Sequence, residues 1–333
     1  MTTLEPEELY FKLPDTTRIA AQAWGRSDGT LRVLAVHGYL DNCATFAPLA
    51  RLLLPELPEL RLVCIDLSGH GKSDHREPFA YGNSWILEMV EVADSMGWEK
   101  FHLMGHSAGQ GTCGGCCISI SDTTALLTSM RRPHRAAMCA SFTGLFPQRV
   151  QSLILIEGLG PESAPPSRAV DRVLRILEDR RRNVRRSAKV YPTFEAAVER
   201  MLQAEAQLSE PSARVLARRG TERVAGGFCF SHDPRLRGSL NSIATEEQAR
   251  AFIKRIVCPV LVIWGSYRWY PLNEPLLEER EKLFANLSVV RLTGNHHVHL
   301  EKPDSCLPHV KAFYDSVLAS SSTSSTVTTR ARL

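Results

Sequence analysis

The chain has 333 residues, of which 44% are hydrophobic and 23% are charged, a composition typical of globular proteins and not of disordered or fibrous ones. The 40 Lys and Arg residues exceed the 36 Asp and Glu residues by a formal net charge of only +4, so charge gives no indication of a nucleic-acid partner. No stretch approaches roughly 18 uninterrupted apolar residues, so no transmembrane segment is expected. At about 150 residues per domain, the length predicts two domains or one large domain with an insert.

Short apolar runs, each ending at glycine or a polar turn, recur along the chain and predict strands. Residues 9–13 and 18–24 predict an antiparallel pair at the start. The later runs have the apolar character of buried parallel strands, and they lie at residues 31–36, 60–67, 101–104, 150–156, 260–264 and 288–292. Helical spacing at residues 83–96, 274–284 and 303–318 completes an α/β pattern, a mostly parallel eight-stranded sheet with helices on both faces.

The pattern changes between residues 161 and 254, where strand-like runs disappear and Arg, Glu and Ala become frequent, as at 169–188 and 194–219. We interpret this segment, called the lid segment below, as a helical lid over the strand ends. The core is then expected at residues 1–160 and 255–318. Residues 319–333 are rich in Ser and Thr without an apolar period, which predicts a disordered tail.

A candidate nucleophile directly follows the fifth predicted strand, in the sequence Gly105-His106-Ser107-Ala108-Gly109. A nucleophile at a sharp strand-to-helix turn has a strained backbone, and the residues two positions away on either side must lack a clashing Cβ. Gly105 and Gly109 meet this requirement. Ser107 is therefore expected to project its Oγ above the carboxyl edge of the sheet.

A serine hydroxyl needs a base, and residues 295–299 (NHHVH) follow the last predicted strand. His296, the first histidine after the Gly-Asn turn, is expected to reach Ser107. The developing oxyanion needs two fixed donors, for which we predict the backbone amides of Tyr39 and Ala108. Three histidines in four residues could instead form a loop surface or a metal site. No nearby carboxylate or cysteine pair completes such a site in the sequence, so neither a metal nor a cofactor is predicted.

With these motifs, the chain resembles the α/β-hydrolase superfamily and, more narrowly, the serine hydrolase-like proteins. The matching segments follow the family's order and span nearly the whole chain, at residues 37–42 (HGYLDN), 66–73 (DLSGHGKS), 105–109 (GHSAG), 294–300 (GNHHVHL) and 301–303 (EKP). The resemblance implies the α/β-hydrolase fold and a hydrolase whose substrate is open.

The catalytic acid is the first departure from the family pattern. The family usually places it shortly after the glycine that ends the seventh strand, but Gly265 is followed by no acid, and Arg268 stands near the expected place. Some relatives, such as haloalkane dehalogenases, carry the acid at the end of the sixth strand, which matches Glu157. We therefore predict Glu157 as the acid, with Asp66 and Glu274 as alternatives.

Residues 110–135 are the second departure, because they stand where the family continues directly into a helix. Their glycines and β-branched clusters make a poor helix start. They could be a genuine loop, a metal site at Cys113, Cys116 and Cys117, or a splicing or gene-model variant. We favour the variant, because the insert breaks local consistency where the fold is least tolerant.

The predicted function is a serine hydrolase that acts on a small-molecule carboxylic ester or thioester. Dehalogenases and epoxide hydrolases use Asp where this chain has Ser107, and a serine forms an acyl-enzyme. The alternative is a catalytically weak or inactive splice-type isoform that acts as a binding or regulatory protein. Ala331-Arg332-Leu333 resembles a peroxisomal signal, which predicts binding to the peroxisomal import receptor and a peroxisomal location, with a cytoplasmic location as the alternative.

Overall fold

The computed structural model describes residues 5–77, 80–82, 84–107, 136–204, 207–236, 244–266 and 274–325. Ala108, the insert at 110–135 and the C-terminal Ala331-Arg332-Leu333 lie outside the described residues. Predictions about them therefore stay predictions.

A central sheet carries the site. Its strands are Glu7–Lys12 (β1), Arg18–Gly25 (β2), Leu31–Val36 (β3), Leu60–Ile65 (β4), Phe101–His106 (β5), Val150–Ile156 (β6), Val260–Gly265 (β10) and Leu287–Leu292 (β11). Their order across the sheet is β1-β2-β4-β3-β5-β6-β10-β11. β2 pairs antiparallel with β1 and β4, and the remaining pairs are parallel. The predicted mostly parallel eight-stranded sheet is confirmed.

Helices cover both faces of this sheet. In the core they are Ala47–Glu56 (α1), Ser84–Ser95 (α2), Ala136–Leu145 (α3), Glu274–Glu281 (α8), Val298–Glu301 (α9) and Pro303–Ser325 (α10), with a 3₁₀ turn at Cys43–Phe46. Side chains alternate along β3. Val33 and Ala35 belong to one apolar cluster with α1 and α10, whereas Leu34 and Val36 belong to another with α2 and α3. Burial on both faces explains why the strands read as continuous apolar runs.

The lid segment is not purely helical. Its helices are Ala169–Asn183 (α4), Phe194–Ala204 (α5), Glu210–Gly220 (α6) and Glu246–Ile253 (α7), with 3₁₀ turns at Pro166–Arg168 and Pro234–Leu236. Val190–Tyr191 (β7), Thr221–Val224 (β8) and Gly227–Phe230 (β9) form a small antiparallel sheet in the order β7-β9-β8. The prediction that strands disappear here is wrong. The hairpin turns at Ala225 and Gly226, and Gly226 has a φ of 86°, a conformation that glycine adopts readily.

The predicted disordered tail also needs correction at its start. Helix α10 continues to Ser325, although the sequence analysis ended the helix at residue 318. The earlier turns of this helix pack against the core through the buried side chains of Val310, Tyr314 and Val317. A helix that is already nucleated and packed adds further turns at little cost.

Among the described helices, none combines the length and the apolarity that a bilayer span requires.

Candidate active site

Ser107 lies at a strained turn that directly follows β5. Its φ of 77° is in the left-handed region that residues with a Cβ rarely adopt. The Ser107 backbone N–H donates to the Ile156 carbonyl at 2.8 Å, which anchors the turn to β6. The side chain is buried, and it stands at the carboxyl edge of the sheet as the Gly-X-Ser-X-Gly sequence predicts.

Three predicted residues come together at this edge. The Oγ of Ser107 lies 2.6 Å from Nε2 of His296. On the other side of the ring, Nδ1 of His296 lies 3.3 Å from Oε2 of Glu157. With a proton on Nδ1, His296 donates to Glu157 and presents the Nε2 lone pair to the serine hydroxyl. The arrangement can remove a proton from Ser107 and stabilise the resulting imidazolium.

Glu157 is held by two strand ends. It follows β6 directly with a φ of 59°, and its backbone N–H donates to the Ile263 carbonyl at 2.9 Å. Its Oε1 accepts a hydrogen bond from the backbone N–H of Gly265. Gly265 has no room for a side chain, because an added Cβ would lie 2.6 Å from the carbonyl oxygen of Asn295. This close approach brings the loop that carries His296 next to the carboxylate.

The two alternative acids have other surroundings. Asp66 is fully buried and accepts from the backbone N–H groups of Cys43 and Lys72, each at 2.8 Å. Burial raises the pKa of Asp66, while the guanidinium of Arg219 opposes that rise. Glu274 is exposed at the first residue of α8. The structure therefore brings Glu157 to His296 and gives Asp66 the contacts of a structural turn residue.

The loop after β3 passes directly behind the nucleophile. A Cβ added to Gly38 would lie 3.0 Å from the Ser107 Cβ and 3.0 Å from Nδ1 of His106, so only glycine fits this approach without displacing a neighbour. Tyr39 follows in the same loop, and its hydroxyl donates to the carbonyl of Leu236 in the lid segment. The Tyr39 amide as an oxyanion donor remains a prediction, as does the amide of Ala108.

The chain was compared with known proteins. A family model described as the alpha/beta hydrolase family matches residues 33–307. The chain belongs to the alpha/beta hydrolase family. It is similar to a serine hydrolase-like protein of Dictyostelium discoideum, with 26% identity over 310 residues that cover 89% of this chain and 78% of that protein. It is also similar to serine hydrolase-like protein 2 of Homo sapiens, with 28% identity over 323 residues that cover 90% of each.

Solved structures show the same architecture. The crystal structure of a hypothetical protein from Pseudomonas aeruginosa has a TM-score of 0.76 to this alpha/beta hydrolase, with 27% identity over 93% of this chain and 99% of that one. The thioesterase domain from the curacin biosynthetic pathway has a TM-score of 0.72 and 23% identity over 92% and 99%, a likeness that shows the fold alone. Family and fold together support a hydrolase role.

A histidine cluster lies beside Ser107, and no sequence pattern indicates that His106 would join the histidines of residues 295–299. The ring centroid of His106 lies 4.1 Å from that of His299 and 5.1 Å from that of His297. Asp41 stands at the cluster's edge, with Oδ2 3.6 Å from Nδ1 of His106. The sequence around these histidines offers no carboxylate that completes a site, whereas the fold brings Asp41 to them from a distant loop. Asp41 is part of the HGYLDN motif in the sequence, but its proximity to His106 and His297 follows only from the fold.

Burial keeps the three histidines of this cluster, His106, His297 and His299, uncharged. It lowers the pKa of His106 and of His299 far below the ordinary histidine value. It also lowers the pKa of His297 to about 3, assisted by the neighbouring histidines. Near neutral pH these rings are consequently neutral, and each carries one nitrogen lone pair.

Proposed function

We propose that this alpha/beta hydrolase cleaves carboxylic esters or thioesters through an acyl-enzyme on Ser107. The observation that carries the proposal is the contact of 2.6 Å between Ser107 Oγ and His296 Nε2, at a backbone turn with a φ of 77°. A hydroxyl held this close to an imidazole nitrogen that can accept its proton is poised for deprotonation. Glu157, on the far side of the ring, supports the same role for His296.

The first half-reaction forms the acyl-enzyme. His296 takes the hydroxyl proton as Ser107 Oγ attacks the carbonyl carbon of the substrate, and the carbonyl oxygen becomes an oxyanion. The backbone amides of Tyr39 and Ala108 are the proposed donors to it. When the intermediate collapses, the bond to the alcohol or thiol breaks, and His296 returns the proton to that leaving group.

The second half-reaction releases the acid. Water attacks the acyl carbon while His296 accepts one of its protons, and the bond to Ser107 Oγ breaks with that proton returned to the serine. Glu157 holds Nδ1–H in place and stabilises the imidazolium in both half-reactions. A serine activated in this way attacks carbonyl carbons and forms an acyl-enzyme, so esters and thioesters are the proposed substrate classes.

Mass spectrometry of the intact full chain tests the substrate class. The chain is mixed with a p-nitrophenyl ester, an acyl thioester of the same acyl group, or a terminal epoxide, and quenched at short times. We expect an acyl adduct from the ester and the thioester, mapped to the peptide that contains Ser107, and no adduct from the epoxide. Ser107→Ala should form none.

Two outcomes would overturn the proposal. An adduct on another residue, unchanged in Ser107→Ala, would remove Ser107 from the chemistry. The absence of both adduct and turnover with every acyl substrate would favour the alternative of an inactive isoform with a binding or regulatory role.

A further inference from the structure

Three side chains from three separate parts of the chain converge beside the proposed nucleophile. Asp41 lies in the loop after β3, His106 is the last residue of β5, and His297 follows β11. One ligating atom from each lies within 4.8 Å of those of the other two. Asp41 and His106 are buried and His297 is half-buried, so this is not an ordinary exposed acidic patch.

Hydrogen bonding fixes which nitrogen of His106 can bind a ligand. Its Nε2 lies 2.9 Å from the carbonyl oxygen of His296, and a carbonyl oxygen only accepts, so Nε2 carries the proton. In the neutral ring, Nδ1 then carries no proton and has a lone pair available for a ligand. Among the described residues this buried Nδ1 has no hydrogen-bond partner.

The Nδ1 lone pair faces negative charge. It lies 3.6 Å from Oδ2 of Asp41. Two electron-rich atoms that face each other in a buried site repel, and a cation between them relieves that repulsion. One ring nitrogen of the half-buried His297 lies within 4.8 Å of the ligating atoms of both residues and is the third possible ligand. We propose that Asp41, His106 and His297 bind one divalent transition-metal ion of the Zn²⁺ type.

The donor set and the spacing fit this class of ion. Two imidazoles and one carboxylate suit Zn²⁺ and its neighbours better than Mg²⁺ or Ca²⁺, which prefer oxygen ligands throughout. Metal–nitrogen distances of roughly 2.0–2.1 Å place adjacent tetrahedral ligands about 3.3 Å apart. The separation of 3.6 Å between Nδ1 of His106 and Oδ2 of Asp41 is already close to that value. Occupancy would join the end of β5 to the loops after β3 and β11, beside Ser107.

Zn²⁺ binding to the metal-free full chain, in competition with a chromogenic chelator, tests the site. We expect one equivalent per chain. His297→Ala and Asp41→Asn should each weaken binding at least tenfold. His309→Ala, a change in helix α10, is the matched control and should bind as the wild-type chain does. Because binding is measured directly, this proposal can fail while the proposed hydrolase function stands, and the reverse is also true.

A second readout separates this site from the cysteines of the insert. Co²⁺ bound to nitrogen and oxygen gives visible d–d bands, whereas thiolate ligands add an intense charge-transfer band. We expect the d–d bands without the thiolate band, and the same spectrum after Cys113, Cys116 and Cys117 are changed to Ser. Absence of binding, equal affinity in His297→Ala, or a thiolate band that the cysteine substitutions abolish would overturn the proposal.

Discussion

Two of the four described non-glycine residues with a positive φ have side chains that flank His296, and the other two are Thr16 and Leu40. Ser107 and Glu157 have φ values of 77° and 59°, and they follow the neighbouring strands β5 and β6. Each such conformation costs about 1–3 kcal/mol and persists only where the surroundings hold it. Here backbone hydrogen bonds to Ile156 and Ile263 hold both residues. The strain thus aims both side chains at the same histidine.

Glu157→Gln tests the charge of the proposed acid. Glutamine has the same shape and keeps an acceptor for the Gly265 N–H, but it cannot stabilise an imidazolium on His296. We expect kcat for ester hydrolysis to fall by roughly 10²–10⁴-fold, as with comparable triad changes, while the melting temperature stays nearly constant. Glu56→Gln, an exposed change, is the control. A kcat within twofold of wild type would contradict Glu157 as the acid.

At the residue scale, the sequence singles out candidate groups wherever a motif or a family position marks them. Local motifs mark Ser107 and His296 as candidates, and Glu157 is a candidate because some relatives carry the acid at the end of the sixth strand. Side-chain proximity across the fold is another matter. Asp41 and His297 are neighbours of His106 only because β3, β5 and β11 end at one edge of the sheet. No local pattern encodes that contact.

At the element scale, strands were easier to predict than helices and small hairpins. A buried parallel strand is an apolar run with a glycine or polar end, and β3 and β6 have the predicted bounds. Helix α1 was not among the predicted helices, and its sequence contains Pro48 and Pro55. Pro48 lies in the first turn, where no helical N–H is lost, and Pro55 lies near the end.

His102 in β5 is expected to make the free energy of unfolding depend on pH in the acid range. Burial lowers its pKa from 6.5 to about 4, and its Nδ1 lies 2.8 Å from the Ser152 hydroxyl. Below pH 6.5 the unfolded chain binds this proton more readily than the folded chain, so folding stability falls as the pH falls toward 4. From about pH 7 to about pH 5, this group should remove roughly 2 kcal/mol of stability.

His102→Gln should shrink that acid loss. Urea unfolding at the two pH values measures it, and the difference between them should be smaller than in wild type by roughly 2 kcal/mol. The control His309→Gln, on helix α10, should keep most of the difference. An equal pH dependence in wild type and His102→Gln would contradict the assignment.

At the scale of the whole molecule, buried polar contacts fasten the lid segment to the core. The Nε of Arg219, near the end of α6, lies 2.8 Å from Oδ2 of Asp66, and its Nη1 lies 2.7 Å from Oε1 of Glu8 in β1. The Nδ2 of Asn42 donates to the carbonyl of Leu216 at 3.0 Å. These contacts fix the segment over the strand ends, where the candidate site lies.

Arg219→Gln should therefore destabilise the whole chain. It leaves the Asp66 carboxylate buried without its cation, which costs about 3–5 kcal/mol. Urea unfolding measures the loss, and Asp66→Asn added to Arg219→Gln should recover part of it. Arg214→Gln removes an exposed pair with Glu210 and should change stability by less than about 0.5 kcal/mol. Equal losses in Arg219→Gln and Arg214→Gln would show that the buried pair contributes little.

The insert at 110–135 carries a prediction from the sequence alone. If it interrupts the helix that supports the Ala108 amide, its deletion should raise both esterase activity and the urea midpoint. Matched assays of the full chain and the deleted chain give the answer. A deletion that lowers both quantities would identify the insert as a working part of the protein.

Labelling by a fluorophosphonate probe tests the central claim most directly. The probe reacts only with a serine whose hydroxyl is activated, which is the state that the Ser107–His296 contact predicts. We predict that the full chain is labelled and that Ser107→Ala is not. Persistent labelling of Ser107→Ala, or an unlabelled full chain of native fold, would contradict Ser107 as a working nucleophile.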